Sequence, residues 1–317
     1  MRIGVTNPSQ DISPADLGRL VADARESEEV GLASLWMPLG MIQHGGPALF
    51  SHDPVSALAA VAGATERIEL GTSILPIQHR HPLITAQQAL SLTALSGGRF
   101  TLGIGNSHRY LVEQVLGLGW ESPVAQLRDY LDVLDTLLSG AVVSHSGPYY
   151  RVENAQLAGA GTYGTGRPSI LVSAMGPEML KLAGSHTDGT ITANTGPRTL
   201  ESHIVPTIRA AAADAGRPEP RVVATVQLAL TSDPDAVRAR LTPVMSGYRD
   251  MPSYRAMLDR EGVEHPVDLV VAGDERTLHA ALMRLRDVGV TDVLAAPVDP
   301  TTRRATKECL AALAGLV

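Results

Sequence analysis

Apolar runs rich in β-branched residues recur along the chain, each followed by a stretch in which apolar residues return every third or fourth position. Arg2 to Thr6, Ser34 to Met37, Ile68 to Ile74, Phe100 to Gly105, Ser169 to Ala174, Gly189 to Asn194, Arg221 to Leu230 and Thr291 to Ala296 read as eight strands. Their near-continuous apolarity is that of strands buried on both faces, as in a parallel sheet covered by helices. The segment from Arg67 to Ser107 shows the unit most clearly. After the strand, Pro82 opens a helix with apolar Leu83, Ala86, Leu90, Leu92 and Leu95, and Ser96-Gly97-Gly98 stops it before the next strand begins at Phe100. Two such strands joined by one helix require a parallel pair.

The same pattern predicts the remaining helices. Ser13-Pro14-Ala15-Asp16 caps one that carries Leu17, Leu20, Val21 and Ala24 on one face. Asp53-Pro54 starts another, and an amphipathic helix follows Gly105 to Leu116. Others run from Pro123 to Leu138, Pro177 to Ser185, Pro197 to Ala215, Asp233 to Glu261 in two or more pieces, and Asp274 to Val288. Two stretches break the rhythm. Asp268 to Ala272 would make a ninth strand and reads as an irregular segment feeding the next helix. Residues 140 to 167 hold a predicted small hairpin, VVSHSGPYYRV, and a Gly-rich loop from Ala158 to Gly166, an insertion between strands four and five of the kind that commonly lies over a barrel's site.

Eight strand and helix units in 317 residues, with no linker-like stretch, predict one closed (β/α)₈ TIM barrel over residues 1–317. No GxGxxG follows the first strand, which argues against an open dinucleotide-binding sheet. Sites of such barrels form at the carboxyl ends of the strands, so the chemistry is expected at Asn7, Met37 to His44, Ser73 to His81, Asn106 to Arg109, Ala174 to Gly176, Thr192 to Gly196, Gln227 and Pro297.

Composition narrows the partners. Only 3% of residues are aromatic against 44% hydrophobic, so the core must be built from Ala, Leu, Val and Ile. A formal charge of -7 without any basic stripe gives no footing for nucleic acid. The single Cys309 excludes an intrachain disulfide and a cysteine metal cluster. No apolar run approaches the roughly 18 residues of a membrane span, and Met1 leads straight into a strand, so a cytoplasmic protein acting on a small molecule is expected.

Three strand ends carry candidate chemistry. Ala174-Met175-Gly176-Pro177 places a glycine and a proline where a helix begins, which makes either an ordinary turn or an anion site formed by free N–H groups and the helix dipole. Glu178 should then face outward. Asn106-Ser107-His108 brings an amide, a hydroxyl and an imidazole together at the end of the fourth strand, able to bond the edge of a flat heterocycle or simply to cap a helix. His108 is the best proton donor in the chain. His79-Arg80-His81-Pro82 offers an H-x-H pair that could ligate a metal, but helix-opening geometry explains His81, and no metal is expected.

The wording LGTSILPI, RHP, LSGGRFTLGIG and SAMGPEMLKLAGSHTDGTIT resembles the luciferase-like monooxygenase superfamily, and within it the oxidoreductases that use coenzyme F420, from Arg2 to about Pro297. The resemblance implies a ring held by Ser73, Ile74, Asn106 and Ser107, with a non-prolyl cis peptide at Ser73-Ile74. It implies a cofactor phosphate held at Ala174, Met175 and Gly176 and after the sixth strand around Asn194, and a homodimer. His108 or His44 would supply a proton. FMN is the alternative cofactor, in a monooxygenase of the same fold, and a non-catalytic cofactor-binding barrel is a further reading. Relatives that oxidise sugar phosphates or secondary alcohols carry an Asp-His pair where this chain has Met37-Pro38, and a Glu where it has His108. Reduction of an activated C=C or C=N bond is therefore preferred.

Overall fold

Alternate residues of a barrel strand face the axis, so the residues at every second position decide what fills the interior. The computed structural model describes residues 1–6, 17–39, 41–42, 49–50, 52–158 and 166–317. Its barrel strands are β1 (Arg2–Thr6), β2 (Ser34–Met37), β3 (Glu69–Thr72), β4 (Phe100–Gly105), β5 (Ser169–Ser173), β6 (Gly189–Ala193), β7 (Arg221–Leu230) and β8 (Asp292–Pro297). Each pairs in parallel with its neighbours in chain order, and β8 returns to β1 with Ile3 opposite Val293, which closes the ring. The helices α1 (Leu17–Glu29), α2 (Pro54–Ala62), α3 (Pro82–Leu95), α4 (Pro123–Leu138), α5 (Pro177–His186), α6 (Val205–Asp214), α7 (Pro234–Met245), α8 (Pro252–Glu261), α9 (Glu275–Asp287) and α10 (Arg303–Ala314) complete the chain. Outward strand residues such as Val5, Leu35, Leu70, Leu102, Val172 and Val293 share the main core with these helices.

The interior has three levels. At the amino ends of the strands, Arg221 donates to Glu69 (2.9 Å) and Asp292 (2.6 Å), while Arg2 pairs with both carboxylates and Thr101 donates to Glu69 at 2.6 Å. Burial alone would lower the Arg221 pKa; the hydrogen bond and charge of Asp292, and then those of Glu69, hold it above the ordinary value. In the middle, Trp36, Leu171, Ile191, Val223 and Leu294 form a buried apolar plug. Gly71 is required by that plug, because a Cβ there would lie 2.3 Å from the Trp36 ring. The Arg221 guanidinium carbon lies 5.8 Å from the centre of the same ring, which ties the charged level to the apolar one by a cation–π contact of about 0.5–2 kcal/mol. Above the plug the inward residues become small and polar, and the site begins there.

Several expectations are revised. The third strand stops at Thr72, and Leu75–Pro76 resumes pairing with β4 after the Ser73-Ile74 bond, which is cis. The segment after Gly105 is a π-helical turn at Leu111–Val115. Asp268 to Ala272 is a 3-10 turn, Pro266–Leu269, followed by a short strand, Val271–Gly273, that pairs with Leu228–Leu230. It extends the far end of β7 and adds no stave to the ring. The hairpin forms, Val143–Ser146 against Arg151–Ala155, and the buried Asp129 carboxylate of α4 accepts from the backbone of Tyr149 (2.7 Å) and Tyr150 (2.8 Å) at its tip. The cap at 13–16, and most of the Gly-rich loop, lie outside the described residues.

Candidate active site

The carboxyl ends of the strands surround a cavity of about 300 Å³ whose polar lining includes Thr6, Ser73, Asn106, Ser107, His108, Ser173, Thr225 and Gln227. Thr6, Ser173 and Thr225 are the next inward positions above the plug, so the strand alternation itself places them. Ile74 lines the same basin and packs on the plug, and the segment is fastened to the one after β2: Ser73 N–H donates to Met37 O (2.8 Å) and Leu39 N–H to Ile74 O (3.4 Å).

Asn106 and Ser107 are fixed by a side chain that sequence reasoning did not single out. Gln78 Nε2 donates to Asn106 Oδ1 at 2.7 Å, and its Oε1 accepts from Ser107 N–H at 3.2 Å; Asn106 Nδ2 in turn donates to Pro123 O at 3.2 Å. The amide is thus held rigidly, with part of its hydrogen-bonding capacity already spent.

His108 stands against two further residues that no local sequence pattern marks out. Its ring centre is 6.0 Å from that of Tyr248 and 5.8 Å from that of Tyr254, and the two phenols are 5.1 Å apart. Burial pushes the His108 pKa down and both phenol values up; Tyr248 raises that of Tyr254 further. All three rings are therefore uncharged at neutral pH. With Leu241, Val244 and Met245 of α7, the two tyrosines form a wall from the long segment between β7 and β8. None of the described residues of the 140–167 insertion lines the basin, whereas the β7–β8 connection supplies Leu241, Val244, Met245, Tyr248 and Tyr254. The signal available in the sequence was that connection's surplus length, with its supernumerary strand.

No charged side chain is among the described residues that line the basin. Among the described residues, no group of three His, Cys, Asp or Glu side chains is placed to hold a metal ion. The His79-Arg80-His81 triplet is spent elsewhere: His81 Nδ1 accepts from Leu83 N–H at 3.2 Å at the start of α3, and Arg80 pairs with Asp53.

The expected phosphate turn lies at the rim, outside the basin's lining. Ala174 is buried, and its carbonyl accepts from Thr190 Oγ1 at 3.3 Å. Met175 O is hydrogen-bonded to His203 Nε2 at 2.9 Å. Gly176 is exposed at the start of α5, and a Cβ there would meet nothing within 4 Å. Glu178 faces out and pairs with Lys181 at 2.8 Å. Asn194 joins neither group. It is buried at φ 50°, its Oδ1 has no partner, and it lines a second cavity of about 260 Å³ that shares Thr225 and Gln227 with the basin. Asn7, Gln43 and His44 lie outside the described residues.

The family model for luciferase-like monooxygenases matches residues 1–291. The chain belongs to that family. Among its relatives is an F420-dependent glucose-6-phosphate dehydrogenase of Nakamurella multipartita, 29% identical over 298 residues, or 90% of this chain and 82% of the relative. A 5,10-methylenetetrahydromethanopterin reductase of Methanolobus tindarius is 26% identical over 90% of this chain and 92% of its own length. A solved F420-dependent secondary alcohol dehydrogenase, in complex with an F420-acetone adduct, shares the fold with a TM-score of 0.79 at 22% identity, covering 99% of this chain and 98% of the other. Among the described residues, no helix is long and apolar enough to cross a membrane.

Proposed function

We propose that this protein is a coenzyme F420-dependent oxidoreductase that reduces an activated C=C or C=N bond in a small, uncharged organic substrate. The observation that carries the choice of substrate is the uncharged lining of the basin. A phosphorylated sugar would require cations, and neither Lys nor Arg is among the described residues around the cavity.

The residues present fit the cofactor. A flat ring system suits a basin walled by Ile74 on one side and rimmed by Ser73, Asn106 and Ser107, with the last two already held by Gln78. An anionic tail suits the exposed Gly176 backbone, where the ten-residue α5 begins and no side chain occupies the space. Ala174 and Met175, with carbonyls fixed by Thr190 and His203, set the course of that turn. When bound, the deazaflavin supplies a hydride and leaves the protein to orient, exclude water and manage one proton.

His108 is suited to that proton. A neutral imidazole has one donor and one acceptor nitrogen, so it can hold a hydrogen bond to the atom where negative charge collects while receiving a proton from solvent at the other. The Tyr248 and Tyr254 hydroxyls, kept protonated by burial, are further donors at the same wall. Titration of the protein with F420, followed by ring absorbance and fluorescence, tests the reading. Saturable binding that FMN at equal concentration does not match is expected, and its absence overturns the proposal.

A further inference from the structure

Two strand-to-helix turns at the open end of the barrel share the sequence Gly-Pro, yet they face different surroundings. At Gly176 a Cβ would meet nothing within 4 Å, whereas at Gly196 it would lie 2.3 Å from Glu261 Cδ. The Glu261 carboxylate accepts from Arg198 N–H (3.2 Å) and Thr199 N–H (2.7 Å), in the first turn of the helical run from Pro197 that continues into α6. Thr199 Oγ1 donates back to Met257 O at 3.2 Å. Glu261 ends α8, a place where the helix dipole disfavours a carboxylate. Its position is explained by the second helix, whose N–H groups it satisfies. The same face of α8 carries Tyr254, Met257, Leu258 and Glu261, spaced i, i+3, i+4 and i+7. Met257 and Leu258 are buried between the two ends, which lie about 10 Å apart along the axis.

We infer that Glu261 is a positioning residue: its carboxylate, seated in the Gly196–Thr199 turn, sets the angle of α8 and so holds Tyr254 against His108 as the wall of the basin. The helix acts as a short rigid arm, pinned at the Glu261 end and presenting an aromatic ring at the other. Its importance for turnover rests on the proposed function; its geometry does not.

The test therefore uses the protein without cofactor. His108 faces Tyr248 and Tyr254, its neighbour Arg109 is paired with Glu113 at 2.9 Å, and no carboxylate is among the described residues lining the basin, so the hydration of this imidazole reports on whether the wall is closed. Its titration is followed by NMR and assigned by the signal missing in His108→Gln. In Glu261→Ala the His108 pKa is expected to rise towards the ordinary imidazole value as the wall opens and water reaches the ring. Glu261→Gln should move it less, since the amide oxygen still accepts one N–H. Leu282→Ala, a buried α9 site, should lower the melting temperature and leave His108 where it was. An unchanged His108 value in a folded Glu261→Ala, or an equal shift in Leu282→Ala, overturns the assignment. If Glu261→Ala fails to fold, Glu261→Gln decides alone, and no shift there is equally fatal. Failure of F420 to bind would leave this result untouched.

Discussion

At the amino ends of the strands, Arg2, Arg221, Glu69 and Asp292 are packed into direct ion pairs; at the carboxyl ends of the same strands, the described lining of the basin holds hydroxyls, amides and an imidazole without a formal charge. The two regions lie on one set of staves and differ by only two inward steps along each: Arg221, Val223 and Thr225 in β7, or Asp292, Leu294 and Ala296 in β8. The charged end can be closed because its groups satisfy one another. The neutral end stays open because small side chains leave room, and it remains uncharged because an unpaired ion there would be costly. Stability and chemistry are thereby separated by the Trp36 layer, and the separation can be attacked from either side.

The largest effect is expected from Arg221→Ala, which leaves the confined Glu69 and Asp292 carboxylates with the half-exposed Arg2 in place of the two guanidinium groups they share. Chemical denaturation should show a loss of about 3–5 kcal/mol, while F420 affinity of the folded fraction stays within about twofold. A comparable loss of affinity would show that the two ends are not independent. Gly176→Asp should do the reverse. The site has room for the side chain, so the melting temperature should hold, but a carboxylate at the α5 terminus should weaken F420 binding about tenfold or more, read by fluorescence titration. Gln78→Ala removes the clamp on Asn106 and Ser107 and should cost about 1 kcal/mol of stability together with a several-fold loss of ring affinity.

The smallest effect concerns pH. The His108 pKa is lowered by burial, so between that value and the ordinary one the unfolded chain binds more protons than the folded one. Stability contributed by a neutral His108 is thus complete above the ordinary imidazole range and declines as pH falls through it towards the depressed value. His108→Gln should flatten part of that decline in a series of thermal melts; His79, lowered by burial and by Arg80, adds a slope of the same sign that should survive the substitution. A slope unchanged in His108→Gln would contradict the burial of the imidazole.

The repeated apolar runs were enough to read the eight staves, since strands covered on both faces must be apolar on the outward side whatever lies within. Gly-Pro and His-Pro dipeptides marked where helices α3 and α5 begin, because proline suits a first turn whose N–H would go unpaired. Asn106, Ser107 and His108 were legible as a group because they follow directly on a strand, and strand ends in a barrel converge; Ser73 and Ile74 were marked out by the family resemblance. Tyr248 and Tyr254 were not legible. They come from irregular and helical segments between β7 and β8, and only packing brings them to His108, which is more than a hundred residues earlier in the chain. The Gln78 clamp and the Glu261 contact are long-range pairings of the same kind, invisible to local periodicity.

By itself, then, the sequence determined the alternation of strand and helix, the parallel order that follows from it, and the small polar residues that end the strands, all of which depend on neighbours within a few positions. The tertiary structure alone decided which alternate residues share a level of the interior, that the ions gather at one end and the neutral groups at the other, and which distant segment walls the basin. Those outcomes depend on ring closure and on the tilt of packed helices, which fix distances between residues far apart in the chain.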